Sequence, residues 1–395
     1  MVVRSPVTGL ATRLGEVRRA TESLSEPLTP EEMQVQTLPE TSPVKWHLGH
    51  TTWFFERFVL EGPRFRPGFD YIFNSYYDAI GPRHPRPERG LLARPSLEEI
   101  LDYRRATDER LHVLLRSSPD PVTLARLELG LNHEQQHQEL LLADVKHLFW
   151  KNPLKPAYRS GAAGPRSADG SGELRWLRFD ERLARIGAPA EGFAFDNERP
   201  RHRVLVESFE IASRLVTAGE YRAFVHEGGY ERPELWLADG WRTAQERGWK
   251  GPLYWSPDAR TVFTLAGERA LEPDEPASHV SYYEADAFAH WAGARLPREE
   301  EWEVAASVLD GEPGDRPLEQ LADACWQWTA SAYMAYPGFR AEGGALGEYN
   351  AKFFCNQLVL RGGSAFTPAS HSRPSYRNFF SPETRWQLSG IRLAR

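Results

Sequence analysis

The sequence predicts an α+β protein with a helical first domain and a mixed α/β second domain. Up to about residue 152, apolar residues recur with the period of a helix. Residues 153–175 are polar, rich in proline and glycine and without periodicity, which is typical of a linker. Short alternating runs and short helical segments follow in residues 176–395. We therefore predict domains at 1–152 and 176–395, joined by the linker.

Four helices are expected in the first domain, which is enough for a small bundle. Ser96 and Glu99 have the spacing of a capping box, and Asp120 before Pro121 is a typical helix start. The helices are predicted at residues 10–24, 45–60, 96–116 and 120–150. Between the second and third helices, residues 62–95 are rich in proline, arginine and aromatic side chains. This composition predicts a packed or functional loop.

The second domain is expected to mix strands and helices. Residues 203–206 alternate between polar and apolar side chains, and residues 209–211 continue the pattern, which predicts strands. Short helices are predicted at 217–227 and 281–293. Further short segments are expected at 326–329, 358–364 and 391–394. Most of the 13 tryptophans lie in this half, and a buried indole N–H needs a hydrogen-bond partner.

The composition is that of an ordinary globular protein, with 41% hydrophobic and 26% charged residues. A net charge of −7 argues against nucleic-acid binding, which usually needs a basic face. No apolar run reaches the roughly 18 residues that span a membrane, and the first residues lack a signal-peptide core. Two cysteines, Cys325 and Cys355, are too few for a disulfide framework. We therefore expect a cytoplasmic protein that does not bind membranes.

Histidines in two predicted helices indicate a metal site. His133 and His137 are four residues apart, so both lie on one helix face. His47 and His50 lie in a second helix, and one of them can complete a set of three imidazoles. Such a set leaves open positions, as catalytic sites do, and suits iron, zinc, copper or nickel. The alternative is that these are buried histidines without a metal, since such spacings also arise by chance.

The second half of the chain carries a set of short motifs, namely Gly187, 195–198 (FDNE), 276–282 (PASHVSY), 295–297 (RLP), 301–303 (EWE), 328–329 (WT), 361–364 (RGGS) and 390–393 (GIRL). With these motifs, it resembles the formylglycine-generating-enzyme and sulfatase-modifying fold, which is related to C-type lectins. The first half, with its histidines, resembles a DinB-type four-helix bundle. The fusion of the two is the pattern of the ergothioneine-biosynthesis sulfoxide synthases of the EgtB type, and the resemblance covers about residues 10–395.

The resemblance implies one non-haem Fe(II) bound by His50, His133 and His137, with O2 as co-substrate. His47 falls outside that ligand pattern. It is expected to be a bundle or surface histidine whose loss leaves metal binding unchanged. The implied reaction joins a cysteine sulfur to C2 of hercynine (Nα-trimethylhistidine) and gives a sulfoxide. The chain would then be an oxidoreductase of ergothioneine biosynthesis.

Hercynine contacts are expected in both domains. Gln136 adjoins His137 and is suited to hydrogen-bond the hercynine imidazole. A quaternary ammonium is usually held against aromatic faces. Asn378, Phe379 and Phe380 resemble the substrate-binding segment of the family, although a core role for the two phenylalanines stays open. We therefore expect the active site where the two domains meet, a frequent place for ligand sites.

The thiol substrate brings a carboxylate of its own, for which an arginine fork is suited. Arg83, Arg86 and Arg89 lie close together in a proline-rich run and are the candidates. A solvated basic loop is an equally good interpretation of any one of them. The expected substrates are thus hercynine and cysteine or γ-glutamylcysteine.

Tyr76 and Tyr77 are the candidate catalytic tyrosines. A sulfoxide synthase needs a proton donor, because without one the thiol tends to be oxidised to a sulfinate. One branch of the family carries a pair of tyrosines in the loop of the first domain, and residues 74–77 (NSYY) match that branch. That branch resembles enzymes that take free cysteine instead of γ-glutamylcysteine. A packing role for either tyrosine stays open.

Other activities are also considered. Formylglycine-generating enzymes need a reactive cysteine pair, which Cys325 and Cys355 do not match, so the second domain is expected to bind substrate and not to act as an independent oxidase. One alternative is a selenoneine synthase, with the same domains and histidines but a seleno-sugar donor. Another is a non-catalytic metal-binding stress or binding protein. The sequence leaves the oligomeric state open.

Overall fold

The structure is a computed structural model that describes most of the chain. The described residues are 6–162, 164–168, 173–308 and 318–395. Residues 1–5, where no signal-peptide core is expected, lie outside the described residues, as do residues 163 and 169–172 of the predicted linker. In the described part of the chain, no helix is both long enough and apolar enough to cross a membrane.

The chain forms two compact units. The first runs to Tyr158 and also includes Glu342–Tyr349, and the second comprises Arg159–Ala341 and Asn350–Arg395. A short piece of the C-terminal half therefore belongs to the helical unit. No sequence pattern indicates this, because the piece packs against residues that are far away along the chain.

Over the part of the first unit that the structure describes, there are four long α-helices, as predicted, and one short one. Their bounds are α1 (Pro6–Ser25), α2 (Val44–Phe58), α3 (Phe69–Phe73), α4 (Leu97–Arg116) and α5 (Pro121–Lys151). Both predicted starts are confirmed. The Ser96 hydroxyl accepts the Glu99 N–H at 3.2 Å, and the Asp120 carboxylate accepts the N–H groups of Val122 and Thr123.

Helix α2 lies in the interior and packs against α4 and α5. The core of the unit is apolar and is formed by Leu14, Val17, Phe55, Val59, Leu60, Leu111, Leu115, Leu127 and Leu131. At Gly49, a Cβ atom would lie 2.3 Å from Cε1 of Phe73. The absence of a side chain at Gly49 thus allows Phe73, at the end of α3, to pack closely against α2 at the residue before His50.

The loop between α2 and α4 is packed, as predicted. Phe69, Phe73 and Tyr77 are buried in it. Asn74 holds the turn that follows α3, because its side-chain amide donates to Tyr77 O and accepts from Tyr77 N, both at 2.9 Å. The loop therefore keeps Tyr76 and Tyr77 in a defined conformation.

In its described residues, the second unit combines short strands with four α-helices. Its largest sheet has the order β10 (Ser389–Gly390), β7 (Trp326–Ala332), β8 (Leu358–Arg361) and β9 (Asn378–Phe380). Strands β10 and β7 are parallel, and the other neighbours are antiparallel. The two-stranded antiparallel pairs are β1 (Trp176–Phe179) with β4 (Phe209–Ala212), β2 (Arg182–Ile186) with β3 (His202–Val206), and β5 (Thr261–Thr264) with β6 (Gly267–Ala270).

The predicted α+β class is confirmed, and so are most predicted segments of this unit. The helices are α6 (Ala218–His226), α7 (Ala238–Glu246), α8 (Tyr282–Trp291) and α9 (Glu299–Val308). Helices α7 and α9 were not predicted. In α9 the apolar residues are nearly contiguous, so they show no helical period. Residues 391–394, expected to be a further segment, form only isolated bridges through Ala394.

Three buried tryptophans of the second unit donate hydrogen bonds through their indole N–H groups, as expected. Trp302 donates to Gln327 Oε1 at 2.6 Å, Trp328 to Val280 O at 2.9 Å, and Trp236 to Gly229 O at 2.8 Å. Both cysteines are free thiols, Cys325 buried and Cys355 exposed. The core of this unit is thus fixed by polar contacts as well as apolar packing.

Candidate metal centre

Three histidines of the first unit converge on one point. His50 comes from α2, and His133 and His137 lie one turn apart on α5. One ring nitrogen from each lies within 4.8 Å of the others. His50 and His133 are almost fully buried, and His137 is half-buried. The structure therefore brings together the three residues that the family resemblance implies as ligands.

The tautomer of His50 follows from its surroundings. Its Nδ1 lies 2.6 Å from the carbonyl oxygen of Phe73, which can only accept, so Nδ1 carries the proton. The Nε2 lone pair then points away from the carbonyl, and Nε2 lies 3.2 Å from Nε2 of His133. The His50 ring also stacks on Trp46 and Trp53, with centroid distances of 4.5 and 5.6 Å. A main-chain acceptor and two indole rings thus fix its orientation.

Burial favours the neutral form of the three imidazoles. Burial lowers the pKa of His50, His133 and His137 well below the usual 6.5, and repulsion from the neighbouring imidazoles lowers it further. A neutral imidazole is the form that binds a metal ion. Two Nε2 atoms that face each other at 3.2 Å would both be satisfied by a shared cation. The donor set therefore fits a divalent transition-metal ion with open coordination positions.

His47 is neither a surface residue nor remote from the cluster. It is buried, its Nδ1 lies 2.8 Å from Nδ1 of His137, and its Nε2 lies 3.0 Å from Oδ2 of Asp144. His47 is thus a buried histidine of the bundle, which is one of the two expected roles, and it contacts the candidate ligand His137. One sequence signal was available. Asp144 follows His137 by two helical turns and so lies on the same face of α5.

Gln136 is held by a residue that the sequence analysis missed. The hydroxyl of Tyr349 donates to Oε1 of Gln136, and the Tyr349 ring meets the His133 ring edge-on at 5.8 Å. Beside it, the Glu348 carboxylate accepts the N–H groups of Asp78 and Ala79 at 2.9 and 2.8 Å. The segment Glu342–Tyr349 therefore borders the histidines and fixes the loop that follows Tyr77.

The two candidate tyrosines lie on the same side of the cluster as Trp53. Tyr77 is fully buried, and its ring lies 5.9 Å from the Trp53 ring, which in turn stacks on His50. Tyr76 is half-buried and stacks on Tyr77 at 4.6 Å. Tyr77 is thus separated from a candidate ligand by one indole ring.

The three candidate arginines differ in their environments. Arg83 is exposed and pairs with Asp78, and Arg86 donates to the carbonyl oxygen of Glu40. Arg89 is buried, and its guanidinium lies 3.4 Å from the centre of the Trp46 ring. Burial lowers the pKa of Arg89 well below its usual value.

Arg86 and Arg89 are closer to the cluster than Arg83 is in electrostatic terms. The charges of both contribute to the lowered pKa of His137, after burial and the neighbouring histidines. Arg89 also donates to the hydroxyls of Ser42 and Ser75, at 2.9 and 3.3 Å. The Arg83 side chain is instead engaged by the surface carboxylate of Asp78.

The predicted residues of the second unit form strand β9 and are half-buried. Phe379 stacks on Tyr333 with a centroid distance of 4.0 Å, and Phe380 meets Trp386 edge-on at 6.2 Å. The Asn378 side chain accepts the N–H of Phe379 at 2.9 Å. Both phenylalanines therefore have packing partners within their own unit.

Comparisons with known proteins cover both halves of the chain. The family model of the DinB superfamily matches residues 13–141, and that of the sulfatase-modifying factor enzyme 1-like domain matches residues 183–316. A hercynine oxygenase of Mycolicibacterium thermoresistibile is 33% identical over 98% of this chain and 94% of its own. A hercynine oxygenase of Mycolicibacterium smegmatis is 32% identical over 98% of each chain.

A more distant relative covers part of the chain. Ergothioneine biosynthesis protein 1 of Schizosaccharomyces pombe is 26% identical over 51% of this chain and 28% of its own length. The two bacterial relatives match over nearly their whole length, and the two domain models match separate stretches of the chain. These matches confirm the resemblance, and the chain belongs to the hercynine oxygenase family.

Proposed function

We propose that this protein is an Fe(II)- and O2-dependent hercynine sulfoxide synthase of ergothioneine biosynthesis, and that it acts in the cytoplasm. The observation that carries the proposal is the cluster of three neutral histidines, His50, His133 and His137, with converging ring nitrogens. The names of its relatives support hercynine as the substrate. The two free thiols are consistent with a reducing compartment.

The proposed reaction balances without a further co-reactant. The C2–H bond of hercynine and the S–H bond of the thiol are broken, and a C–S bond forms. One oxygen atom of O2 becomes the sulfoxide oxygen, and the other leaves as water with the two hydrogens. The organic substrates lose four electrons, and O2 accepts all four.

Bound by His50, His133 and His137, Fe(II) would supply open positions at which O2 and substrates meet. Gln136 lies beside His137, and the Tyr349 hydroxyl fixes its amide oxygen. The Gln136 amide is thereby oriented, and we assign it to the imidazole of hercynine. Orientation of this kind contributes to rate by holding the reacting atoms together.

The carboxylate of the thiol substrate needs a cation near the cluster. We assign this role to Arg86 together with Arg83. The charge of Arg86 is one cause of the lowered pKa of His137, which indicates that Arg86 lies near the cluster. In the second unit, Asn378, Phe379 and Phe380 are proposed to bind the trimethylammonium and carboxylate of hercynine. The Tyr76–Tyr77 pair, which resembles one branch of the family, supports free cysteine as the preferred donor.

Product analysis with the full-length chain tests this function. The Fe(II)-loaded protein is given hercynine, O2 and one of three donors, namely cysteine, γ-glutamylcysteine or a seleno-sugar. We expect O2 uptake and a product with the mass of hercynine plus cysteine plus one oxygen minus two hydrogens. A conjugate formed only from the seleno-sugar would favour selenoneine synthesis. If no donor gave O2 uptake or a conjugate, a non-catalytic role would replace the proposal.

Removing one tyrosine hydroxyl is expected to change the product. A phenol has a pKa of about 10 and stays protonated at neutral pH, so it can give a proton to an oxygen atom derived from O2. Phenylalanine in place of Tyr76 or Tyr77 should lower the ratio of sulfoxide to cysteine sulfinate by about 100-fold at one of the two positions. The ratio is measured by mass spectrometry at saturating hercynine and cysteine.

Two further variants make this measurement decisive. Tyr71→Phe removes an exposed hydroxyl from the same loop and should leave the ratio unchanged. Tyr349→Phe removes the hydroxyl that holds Gln136, so it should raise the KM for hercynine more than it changes the ratio. If Tyr76→Phe and Tyr77→Phe both kept the wild-type ratio and Tyr349→Phe lowered it, Tyr349 would be the donor instead.

A further inference from the structure

A chain of buried hydrogen bonds leads from His137 to the backbone of the loop before α2. Nδ1 of His137 lies 2.8 Å from Nδ1 of His47, and Nε2 of His47 lies 3.0 Å from Oδ2 of Asp144. The same carboxylate oxygen accepts the N–H of Ser42 at 2.9 Å. His47 and Asp144 are 2% and 7% exposed, so water does not compete freely for these bonds.

The positions of the protons follow from the partners. An ionised carboxylate only accepts hydrogen bonds, so His47 donates through Nε2 to Asp144. Neutral His47 then has a lone pair on Nδ1. With His47 in that form, the hydrogen between the two Nδ1 atoms belongs to His137, whose Nε2 is left with a lone pair that can bind a metal ion. This is the tautomer in which all three histidines can bind one cation.

We infer that His47 and Asp144 are positioning residues that fix the tautomer and ring orientation of His137 and increase its donor strength toward the metal ion. The inference rests on the metal site proposed above. Partners that accept the second N–H of a metal-binding histidine usually change metal affinity by about 10- to 100-fold when they are removed. The loss of His47 is thus expected to weaken metal binding, contrary to the expectation from the ligand pattern alone.

The three candidate ligands are supported in different ways, so the relay, by which we mean the hydrogen-bond chain His137–His47–Asp144, can be tested separately. His50 donates to a main-chain carbonyl, which no side-chain substitution removes. His133 is positioned by stacking on Phe54 at 4.1 Å, and no described residue hydrogen-bonds to its Nδ1. Among the described hydrogen bonds that support the three candidate ligands, only that of His137 runs through replaceable side chains.

The test is a titration of the metal-free full-length protein with Co(II), in which the visible absorption of the bound ion measures binding. We expect His47→Leu to weaken Co(II) binding about 10- to 100-fold. His47→Gln should restore most of the affinity, because the glutamine amide can accept from His137 and donate to Asp144. Asp144→Asn keeps an oxygen acceptor but loses the charge, so it should weaken Co(II) binding less than His47→Leu does. His147→Gln, which removes another buried histidine of α5, should bind as the wild type does.

Proton NMR of the Co(II) protein gives a readout that a general loss of packing would not produce. Ring N–H protons of histidines bound to Co(II) are shifted far outside the normal range, and hydrogen bonding slows their exchange with water. The wild type should show such protons from His50 and His137, and His47→Leu should lose the one from His137 while keeping that of His50.

Three results would overturn the inference. The first is a His47→Leu affinity within twofold of the wild type. The second is retention of both shifted protons in His47→Leu or, if the leucine variant does not fold, an Asp144→Asn affinity for Co(II) equal to that of the wild type. The third is a wild type that binds no Co(II), which would also remove the metal site. In contrast, a wild type that binds Co(II) without the expected His47 effect would refute the relay and leave the proposed function standing.

Discussion

Replacing His133 with alanine is expected to abolish metal binding and oxygenase turnover while the bundle stays folded. The substitution removes one of three converging imidazoles and leaves two, which is too few for a stable site of this kind. Alanine is the best helix former, so α5 should persist through the change. Metal content per chain, expected to fall from about one ion to near zero, is measured together with O2 uptake in the presence of hercynine and cysteine.

A stability measurement separates this outcome from misfolding. A metal ion at about 100 times its Kd should stabilise the wild type by about 2.7 kcal/mol, and His133→Ala should gain nothing from the same addition. His112→Ala, which removes an exposed histidine from α4 of the same unit, serves as the control. Equal metal content in His133→Ala and in the control would show that these histidines are not the ligands.

The helices of the first unit could be predicted because their signals are local. Ser96 and Glu99 are three residues apart and satisfy each other's backbone N–H groups, so the capping box needs no tertiary information. Strand β9 and helix α9 of the second unit gave weaker signals. Strand β9 spans only Asn378–Phe380 and depends on pairing with β8, which a short sequence window does not contain.

The candidate site also combines residues that local sequence patterns predict with residues that they do not predict. The spacing of His133 and His137 places both on one face of a helix, and this follows from local geometry without any tertiary contact. The place of Tyr349 does not follow from any local pattern, because its partner Gln136 lies 213 residues earlier. His47 was visible in the sequence, but its role depends on Asp144, which reaches it only when α2 packs against α5.

Glu134 follows the candidate ligand His133 directly but faces a different environment. It is fully buried, and its carboxylate accepts from Thr21 Oγ1 at 2.6 Å, Arg18 Nη1 at 3.0 Å and Arg104 Nη2 at 2.5 Å. Burial alone would raise its pKa, but the two guanidinium groups outweigh burial and hold the pKa below the usual 4.5. The stabilisation from this charge is therefore present above pH 4.5 and is lost as the pH falls through the lowered value.

Glu134→Ala is expected to destabilise the first unit by about 3–5 kcal/mol, because it leaves Arg18 and Arg104 buried beside each other without the shared carboxylate. Glu128→Ala is the matched control. Glu128 lies on the same helix and pairs with Arg13 of the same partner helix, but that pair is about one-third exposed and should contribute less than about 1 kcal/mol. Amide hydrogen exchange in α5 reports on this unit alone.

The exchange rates give a direct comparison of the two variants. A loss of 3–5 kcal/mol corresponds to roughly 100- to 4,000-fold faster exchange of the most protected α5 amides, if these exchange through opening of the whole unit. Glu128→Ala should accelerate them less than about tenfold. If both variants accelerated exchange equally, the Arg18–Glu134–Arg104 group would not be the charge network that stabilises the helix carrying His133 and His137. Because His133 points toward the metal site and Glu134 toward the arginines, the two neighbouring substitutions should separate loss of chemistry from loss of stability.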